Sequence, residues 1–360
     1  MTAPEFLWGT GFKGLSHSER VSSPIWSTCL FVRFKVRRLP HLNFLCGSIL
    51  APQKTGNPNI AHFLLNTFGL VQISRAIIRA MRIGVSMYSY VQSVKNSGMT
   101  IPGFIHEAKR AGAEGVELLE YFYKDIEADR EAALKALEET GLPCPIFSVG
   151  QNFAKIDPEE RRQQLAKIKF GVDEALKFGA GVVRVFAGDV AEGITFDQAR
   201  AWIVEGLTEG SLYAAEHGVK LALENHGTLA GRGDQVRGLI DDVREKSGTD
   251  VLGANPDTGN FLLVNQPSHE AIKQVAEYAN MVHFKDFKAA PVDHEGWAYQ
   301  ALNGDRFVGT AIGEGQVELG RCTQELKDAG FNGWLSVEYE GAEDPITAIP
   351  RSIANARHYL

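Results

Sequence analysis

Four short segments late in the chain each end an apolar run on a residue able to bind a cation: Glu224 in LALENHG, Asp257 in NPDTGNF, His283 in MVHFKDF and Glu338 in WLSVEYEG. A side chain at the end of a strand meets solvent at the edge of a sheet, so four such ends can converge on one mouth. Three carboxylates and one imidazole form a mixed oxygen and nitrogen set suited to a single divalent cation. A cation held in this way can grip and polarise a hydroxy-carbonyl compound. Taken singly, a Glu after a strand is most often a helix cap or a surface charge, and a lone His is most often a satisfied core residue. The spacing carries the argument. Glu224 to Asp257 is 33 residues and Asp257 to His283 is 26, each close to one strand-helix unit, whereas His283 to Glu338 is 55 because a long segment intervenes.

The elements that must position these residues repeat from Arg82 onward as short β-branched runs alternating with long amphipathic segments. Strands are predicted at Ile83–Ser86, Gly115–Leu118, Ile146–Val149, Val182–Phe186, Lys220–Leu223, Val251–Ala254, Met281–Phe284 and Trp334–Val337. Helices are predicted near 102–111, 129–140, 158–178, 195–217, 234–247, 268–279, 318–329 and 345–358. In the helix beginning at Pro158, Asp157 can cap the amides with Glu160 completing a capping box, and Gly179 can end it. Its apolar residues Leu165, Ile168, Val172 and Leu176 recur at helical spacing. Eight strand-helix units in about 280 residues match a single (β/α)8 TIM barrel, an α/β fold, better than an open doubly wound sheet. The ligand candidates then fall on its last four strands.

The whole chain has 360 residues and 44% apolar content, ample for a large core. Its charge is divided unevenly. Residues 1–80 hold nine Lys/Arg against two Asp/Glu, a balance of +7, and the remaining 280 residues hold 28 against 42, a balance of −14. The sequence is therefore divided into an irregular, poorly structured basic extension over 1–80 and a barrel over 81–360. The run VRFKVRR at 32–38 and the scarcity of acids resemble an organelle leader, but Pro24, Pro40, Pro52 and Pro58 oppose an amphipathic helix. The favoured reading is an extension without a folded role, with Met81 directly before the first predicted strand. A GxGxxG pattern at Gly9, Gly11 and Gly14 lacks the flanking strand and helix of a dinucleotide site. No run reaches the roughly 18 apolar residues of a membrane span.

Residues 81–360 resemble the sugar phosphate isomerase/epimerase family with the xylose isomerase-like barrel, which includes ketose 3-epimerases, hydroxypyruvate isomerases and inosose dehydratases. The likeness is densest in LALENHG, DTGNF, HFKDF and IGEGQVELGRCTQELKDAGFNGWLSVEYEG. It implies that Glu224, Asp257, His283 and Glu338 bind one divalent metal ion, Mn²⁺ by first choice with Mg²⁺, Co²⁺ or Zn²⁺ tolerated, and that Glu224 and Glu338 also serve as the acid/base pair. The implied chemistry is proton transfer on a keto sugar or related polyol through a metal-stabilised enediolate, giving epimerisation or isomerisation.

The resemblance has gaps. Ketohexose epimerases anchor the sugar with residues whose counterparts here are Ala230, Asn260 and Ala289. Free fructose, psicose and tagatose are therefore expected to be poor substrates. His226, Asn260, Lys285, Trp297 and Arg306 are the candidates for substrate contact, and Glu117 or Glu120 is expected to face the pocket. His226 and Lys285 each lie two residues beyond a ligand, so strand alternation directs them the same way. Segment 287–312, with His294, Trp297, Tyr299, Asn303 and Arg306, is long enough to form a lid over a sugar ring or a glycoside's aglycone. The IGEGQ stretch offers backbone amides at Gly313 and Gly315, but Glu314 between them disfavours a phosphate.

Two other outcomes remain open. Enolisation followed by loss of a β-leaving group would make the chain a lyase or dehydratase acting on a 3-keto glycoside or inosose. An abasic-site endonuclease uses more metals and His ligands, one of them where Asn260 stands, and the −14 balance would repel a phosphate backbone. A small-molecule carbohydrate is thus expected as the partner, without nucleic acid or membrane, in a chain that could form a homo-oligomer. Cys29, Cys46, Cys144 and Cys322 show neither paired ligand spacing nor a disulfide framework, which suits the cytoplasm.

Overall fold

Each predicted strand is a short, largely apolar run suited to a parallel sheet covered by helices, and each helix carries one apolar face to cover it. A computed structural model describes residues 81–190 and 192–360. Expectations concerning residues 1–80, including VRFKVRR, the glycine pattern, Cys29 and Cys46, lie outside the described residues. Seven strands come first: β1 (Arg82–Ser86), β2 (Gly115–Leu119), β3 (Ile146–Ser148), β4 (Val182–Val185), β5 (Lys220–Glu224), β6 (Leu252–Asn255) and β7 (Val282–Phe284). Three more, β8 (Asp286–Ala289), β9 (Tyr299–Gln300) and β10 (Arg306–Thr310), precede the last, β11 (Trp334–Val337).

Strands β1 to β7 and β11 form one parallel sheet, ordered β6-β5-β4-β3-β2-β1-β11-β7. Val85 of β1 pairs with Val116 of β2 on one side and Val337 of β11 on the other. Between β6 and β7 the ladder thins to two isolated parallel bridges, Ala254 with Ala279 and Asp257 with His283. The result is a TIM barrel of eight strands, nearly continuous around its ring.

Helices Ile101–Ala111, Ile126–Thr140, Pro158–Phe178, Phe196–Glu216, Gly233–Ser247, Ser268–Val275, Leu319–Asp328 and Pro345–Ala356 follow successive strands. In Pro158–Phe178 the Asp157 carboxylate accepts from the Glu159 amide at 2.8 Å, one position earlier than a capping box would use. Gly179 closes the helix at φ +69°, a conformation that favours a residue without Cβ. Ile168 and Val172 are fully buried, whereas Leu176 is exposed because it lies off the inward stripe.

Segment 287–312 is not a structureless loop. Strands β8, β10 and β9 form an antiparallel sheet in that order, with Phe287, Phe307 and Ala301 buried beneath it. Alternation in RFVGT supplies the signal that length alone concealed: Phe307 faces in and Arg306 faces out. Asp286 anchors the following turn, accepting from the amides of Gly313 at 3.0 Å, Gly315 at 2.9 Å and Val317 at 3.2 Å. A Cβ at Gly315 would lie 2.1 Å from Asp286 Oδ1, so this turn needs glycine. The IGEGQ amides are thereby taken by the protein itself, and Glu314 pairs outward with Arg351. Among the described residues no helix is long and apolar enough to cross a membrane.

Candidate metal centre

Glu224 is the last residue of β5, Asp257 lies two beyond β6, His283 is the middle residue of β7 and Glu338 directly follows β11. One ligand-type atom from each lies within 4.8 Å of the others, and all four residues are buried. His283 Nδ1 stands 3.2 Å from Glu224 Oε2, 3.5 Å from Glu338 Oε2 and 3.9 Å from Asp257 Oδ2. Neither His283 Nδ1 nor Asp257 Oδ2 makes a hydrogen bond, although both are buried. A buried polar atom without a hydrogen bond is rare. Although Asp257 Oδ2 also meets the Lys285 ammonium at 3.0 Å, an imidazole nitrogen converging with three carboxylates fits a divalent cation.

The surroundings hold these atoms in place. His283 Nε2 lies 3.1 Å from both oxygens of Glu117, which in turn accepts from Ser148 Oγ at 2.5 Å and Ser336 Oγ at 2.6 Å. Nε2 thus faces a carboxylate that can only accept its proton, and Nδ1 is the ring nitrogen turned to the cluster. Asp257 Oδ1 accepts from the amides of Gly259 at 2.8 Å and Asn260 at 2.9 Å, leaving Oδ2 for the centre. Asn225 clamps the Asp257 backbone from both sides, accepting from its amide at 2.6 Å and donating to its carbonyl at 3.1 Å.

Two buried cations offset the crowd of acids. Lys285 Nζ lies 2.7 Å from Glu338 Oε2, 3.0 Å from Asp257 Oδ2 and 2.9 Å from Glu340 Oε1. Glu340 also accepts a short hydrogen bond from the hydroxyl of Tyr299 on β9. Arg184 places Nε 3.3 Å from Glu224 Oε2, donates from a guanidinium nitrogen to the Val149 carbonyl at 3.0 Å, and stacks 4.0 Å from the centre of the Phe186 ring. Burial disfavours the charged form of each group, and the partners then decide the direction. Burial pushes the Asp257 carboxyl up to about 7, with Glu338 and Glu224 adding to it against Lys285. For His283 burial is outweighed by Glu117, Glu338 and Glu224, which hold the imidazole well above its ordinary range. Lys285 is likewise held well above its usual range, because Asp257, Glu338 and Glu340 overcome its burial.

A cavity of about 710 Å³ opens over the cluster, lined by Glu224, Glu338, Lys285, Asn260 and His226 among others. Asn260 Nδ2 donates to the Asn225 carbonyl at 3.2 Å, and its Oδ1 accepts from Lys285 at 3.3 Å. The His226 side chain is 48% exposed, with its ring against Phe186 and Nδ1 3.8 Å from Asp189. Trp297 and Arg306 are not brought to the cavity. Trp297 is 80% exposed at the outside of the small sheet, and it is Tyr299, edge-on to Trp297 at 6.0 Å, that lines the cavity. Arg306 is exposed because its register on β10 turns it away from the buried Phe307. Both acids take part: Glu117, within β2, lies beneath the cluster, and Glu120, directly after β2, lines the cavity. The sequence reading missed Arg184 and Glu340. A lone arginine inside VVRVF and a carboxylate two residues beyond Glu338 were the available signals.

The chain belongs to the family described as the xylose isomerase-like TIM barrel, matched over residues 105–359. Curated relatives include an inosose dehydratase of Geobacillus thermodenitrificans, 28% identical over 163 residues, 44% of this chain and 52% of that one. Another is an inosose dehydratase of Bacillus licheniformis, 29% identical over 166 residues, 44% of this chain and 52% of that one. These matches span about half the length of the curated relatives. Among solved structures, a 3-keto-D-glucoside 4-epimerase from E. coli superposes with a TM-score of 0.59 at 18% identity, over 77% of this chain and 99% of that one. An IolI protein with a bound zinc atom gives 0.60 at 19% identity, over 78% and 96%.

Proposed function

We propose that this barrel is a divalent-metal-dependent enzyme that enolises a keto sugar or related polyol, with Glu224 and Glu338 as both ligands and acid/base pair. The single observation that carries this reading is the meeting of two glutamates from non-adjacent strands, β5 and β11, around an imidazole nitrogen that lacks any hydrogen bond. Glu224, Asp257, Glu338 and His283 Nδ1 would hold the ion. When bound, a divalent cation there supplies Lewis-acid polarisation of a carbonyl and its neighbouring hydroxyl. Mn²⁺ is our choice, with Mg²⁺, Co²⁺ and Zn²⁺ suited to the same donors.

The protein's own groups then account for proton movement. One glutamate removes the proton from the carbon beside the carbonyl, and the other returns a proton to the same carbon for epimerisation or to its neighbour for isomerisation. Lys285, with Nζ beside Glu338, stabilises negative charge developing on substrate oxygen. Asn260 replaces an imidazole at its position and lines the cavity between Glu224 and Lys285.

A second reading is favoured by a specific observation: His226 lines the cavity with its ring steadied by Phe186. In this reading it protonates a leaving group, so that enolisation ends in β-elimination. The inosose dehydratases among the curated relatives support this outcome. Keto sugars, 3-keto glycosides and inososes assayed with each of the four metals separate the two readings. A stereoisomeric or aldose product supports the first, and an unsaturated product absorbing in the ultraviolet supports the second. Full activity in Glu224→Gln or Glu338→Gln with metal still bound would refute the acid/base assignment.

A further inference from the structure

The cavity is larger and greasier than a single sugar ring needs. Its volume of about 710 Å³ lies within the roughly 300 to 1,000 Å³ of sites that enclose drug-sized ligands. Its charged floor is buried: Glu224, Glu338 and Lys285 are at most 5% exposed. Its rim differs in kind. Tyr121 and Leu302 both line the cavity and are 62% and 64% exposed.

Two apolar walls rise from floor to rim on opposite sides of the ring. Leu119 ends β2 and Tyr121 follows it, whereas Leu263 comes after β6, four strands away around a ring of eight. The Leu302 amide donates to the Leu263 carbonyl at 2.9 Å, so the small sheet and the segment after β6 present one continuous face. Two of the polar side chains that line the cavity, Glu120 and Lys167, are already engaged. Glu120 accepts from the Gly150 amide at 2.8 Å, and Lys167 donates to the Gly150 carbonyl at 2.9 Å. A second sugar ring placed between these walls would set hydroxyls against Leu119, Leu263 and Leu302, which offer no hydrogen bond.

We propose that the substrate is a keto sugar bearing an aromatic aglycone, with the sugar on the charged floor and the aromatic ring in the slot between Leu119 with Tyr121 and Leu263 with Leu302. Flat rings suit two facing apolar walls, and Tyr121 adds an aromatic face. The inference rests on the proposed enolisation of a keto sugar, which fixes which end of the ligand meets the floor.

Calorimetry on the full chain loaded with Mn²⁺, using methyl and phenyl glucosides as unreactive probes, tests the slot without turnover. The phenyl glucoside is expected to bind about tenfold tighter, as burial of one aromatic ring implies. Leu302→Asp and Tyr121→Ser change exposed residues and are expected to bring the two probes within about threefold of each other. Circular dichroism and metal stoichiometry check that both variants fold. Equal affinities in the native protein, no measurable binding of the phenyl probe, or an undiminished preference in both variants would overturn the proposal. Turnover of methyl 3-ketoglucoside that depends on Glu224 and Glu338, without a phenyl preference, removes the slot and leaves the proposed chemistry standing. A phenyl preference without turnover of any keto sugar supports the slot and removes the chemistry.

Discussion

Glu117 and His283 face each other at 3.1 Å, and neither side chain reaches solvent. They come from β2 and β7, separated by 166 positions in the chain. The carboxylate selects the imidazole tautomer and leaves Nδ1 turned towards Glu224, Asp257 and Glu338. Glu117→Gln is therefore expected to weaken divalent-metal affinity by about 10- to 100-fold. Metal titration followed by calorimetry checks this, and unchanged affinity would show that the Glu117 carboxylate does not orient the ring.

The two glutamates proposed to move protons are expected to be unequal in their neighbours and equal in necessity. Glu224 is braced by Arg184, and Glu338 by Lys285. Either change to Gln is expected to lower kcat by about 10²- to 10⁴-fold, the usual contribution of a positioned acid or base. Solvent deuterium incorporation at the carbon beside the carbonyl, measured in each variant, shows which one removes the proton.

The Tyr299 hydroxyl ties the small sheet to the centre through Glu340 and Lys285. Tyr299→Phe removes that tie while keeping the ring. Because the hydroxyl acts on placement of the sheet, KM is expected to rise by about tenfold with a smaller change in kcat, consistent with the loss of one hydrogen bond to a charged group. Steady-state kinetics on the best keto substrate of the panel checks the split.

A separate prediction concerns acid stability. Burial would raise the carboxyl of Glu174, but hydrogen bonds from Arg130, Lys177 and Tyr123 outweigh it and hold it below its ordinary value of 4.5. A carboxylate depressed in the folded state stabilises fully above its unfolded pKa, and that stability is lost as pH falls through the folded value. Glu174→Gln is therefore expected to lower Tm at pH 7, with the gap to the native protein closing below about pH 4.5. A constant gap down to pH 3 would rule out charge as the cause.

Much of this architecture was legible in the sequence because its signals are local. The helix from Pro158 to Phe178 announces itself by a capping aspartate, an initiating proline and a terminating glycine, and all eight barrel strands fall within one or two residues of their apolar runs. The four ligand candidates were legible for the same reason: each stands at or just beyond a strand, or in the middle of a very short one. What stayed hidden depends on contacts distant in sequence. Nothing near Glu117 indicates that it lies under His283. The mispositioned aromatic is equally instructive, since Trp297 and Tyr299 share a segment and only the register of β9 with β10 decides that Tyr299 lines the cavity.

Metal removal supplies the last prediction. A ligand that binds only the folded chain stabilises it by about 4 kcal/mol at a thousand times its Kd. Dialysis against chelator is expected to lower Tm, and graded Mn²⁺ to restore it in proportion to the logarithm of concentration.

The thin junction between β6 and β7 gives that stabilisation a location. Asp257 and His283 face each other across it as one of its two bridges, so two of the four proposed ligands occupy opposite lips of the barrel's weakest-laddered joint. An ion gripping both would work as a buckle on a hoop. Hydrogen exchange should then slow first at Thr258 and His283, whose backbone groups are tied together across the gap. Loading the catalyst and fastening its container would be a single event.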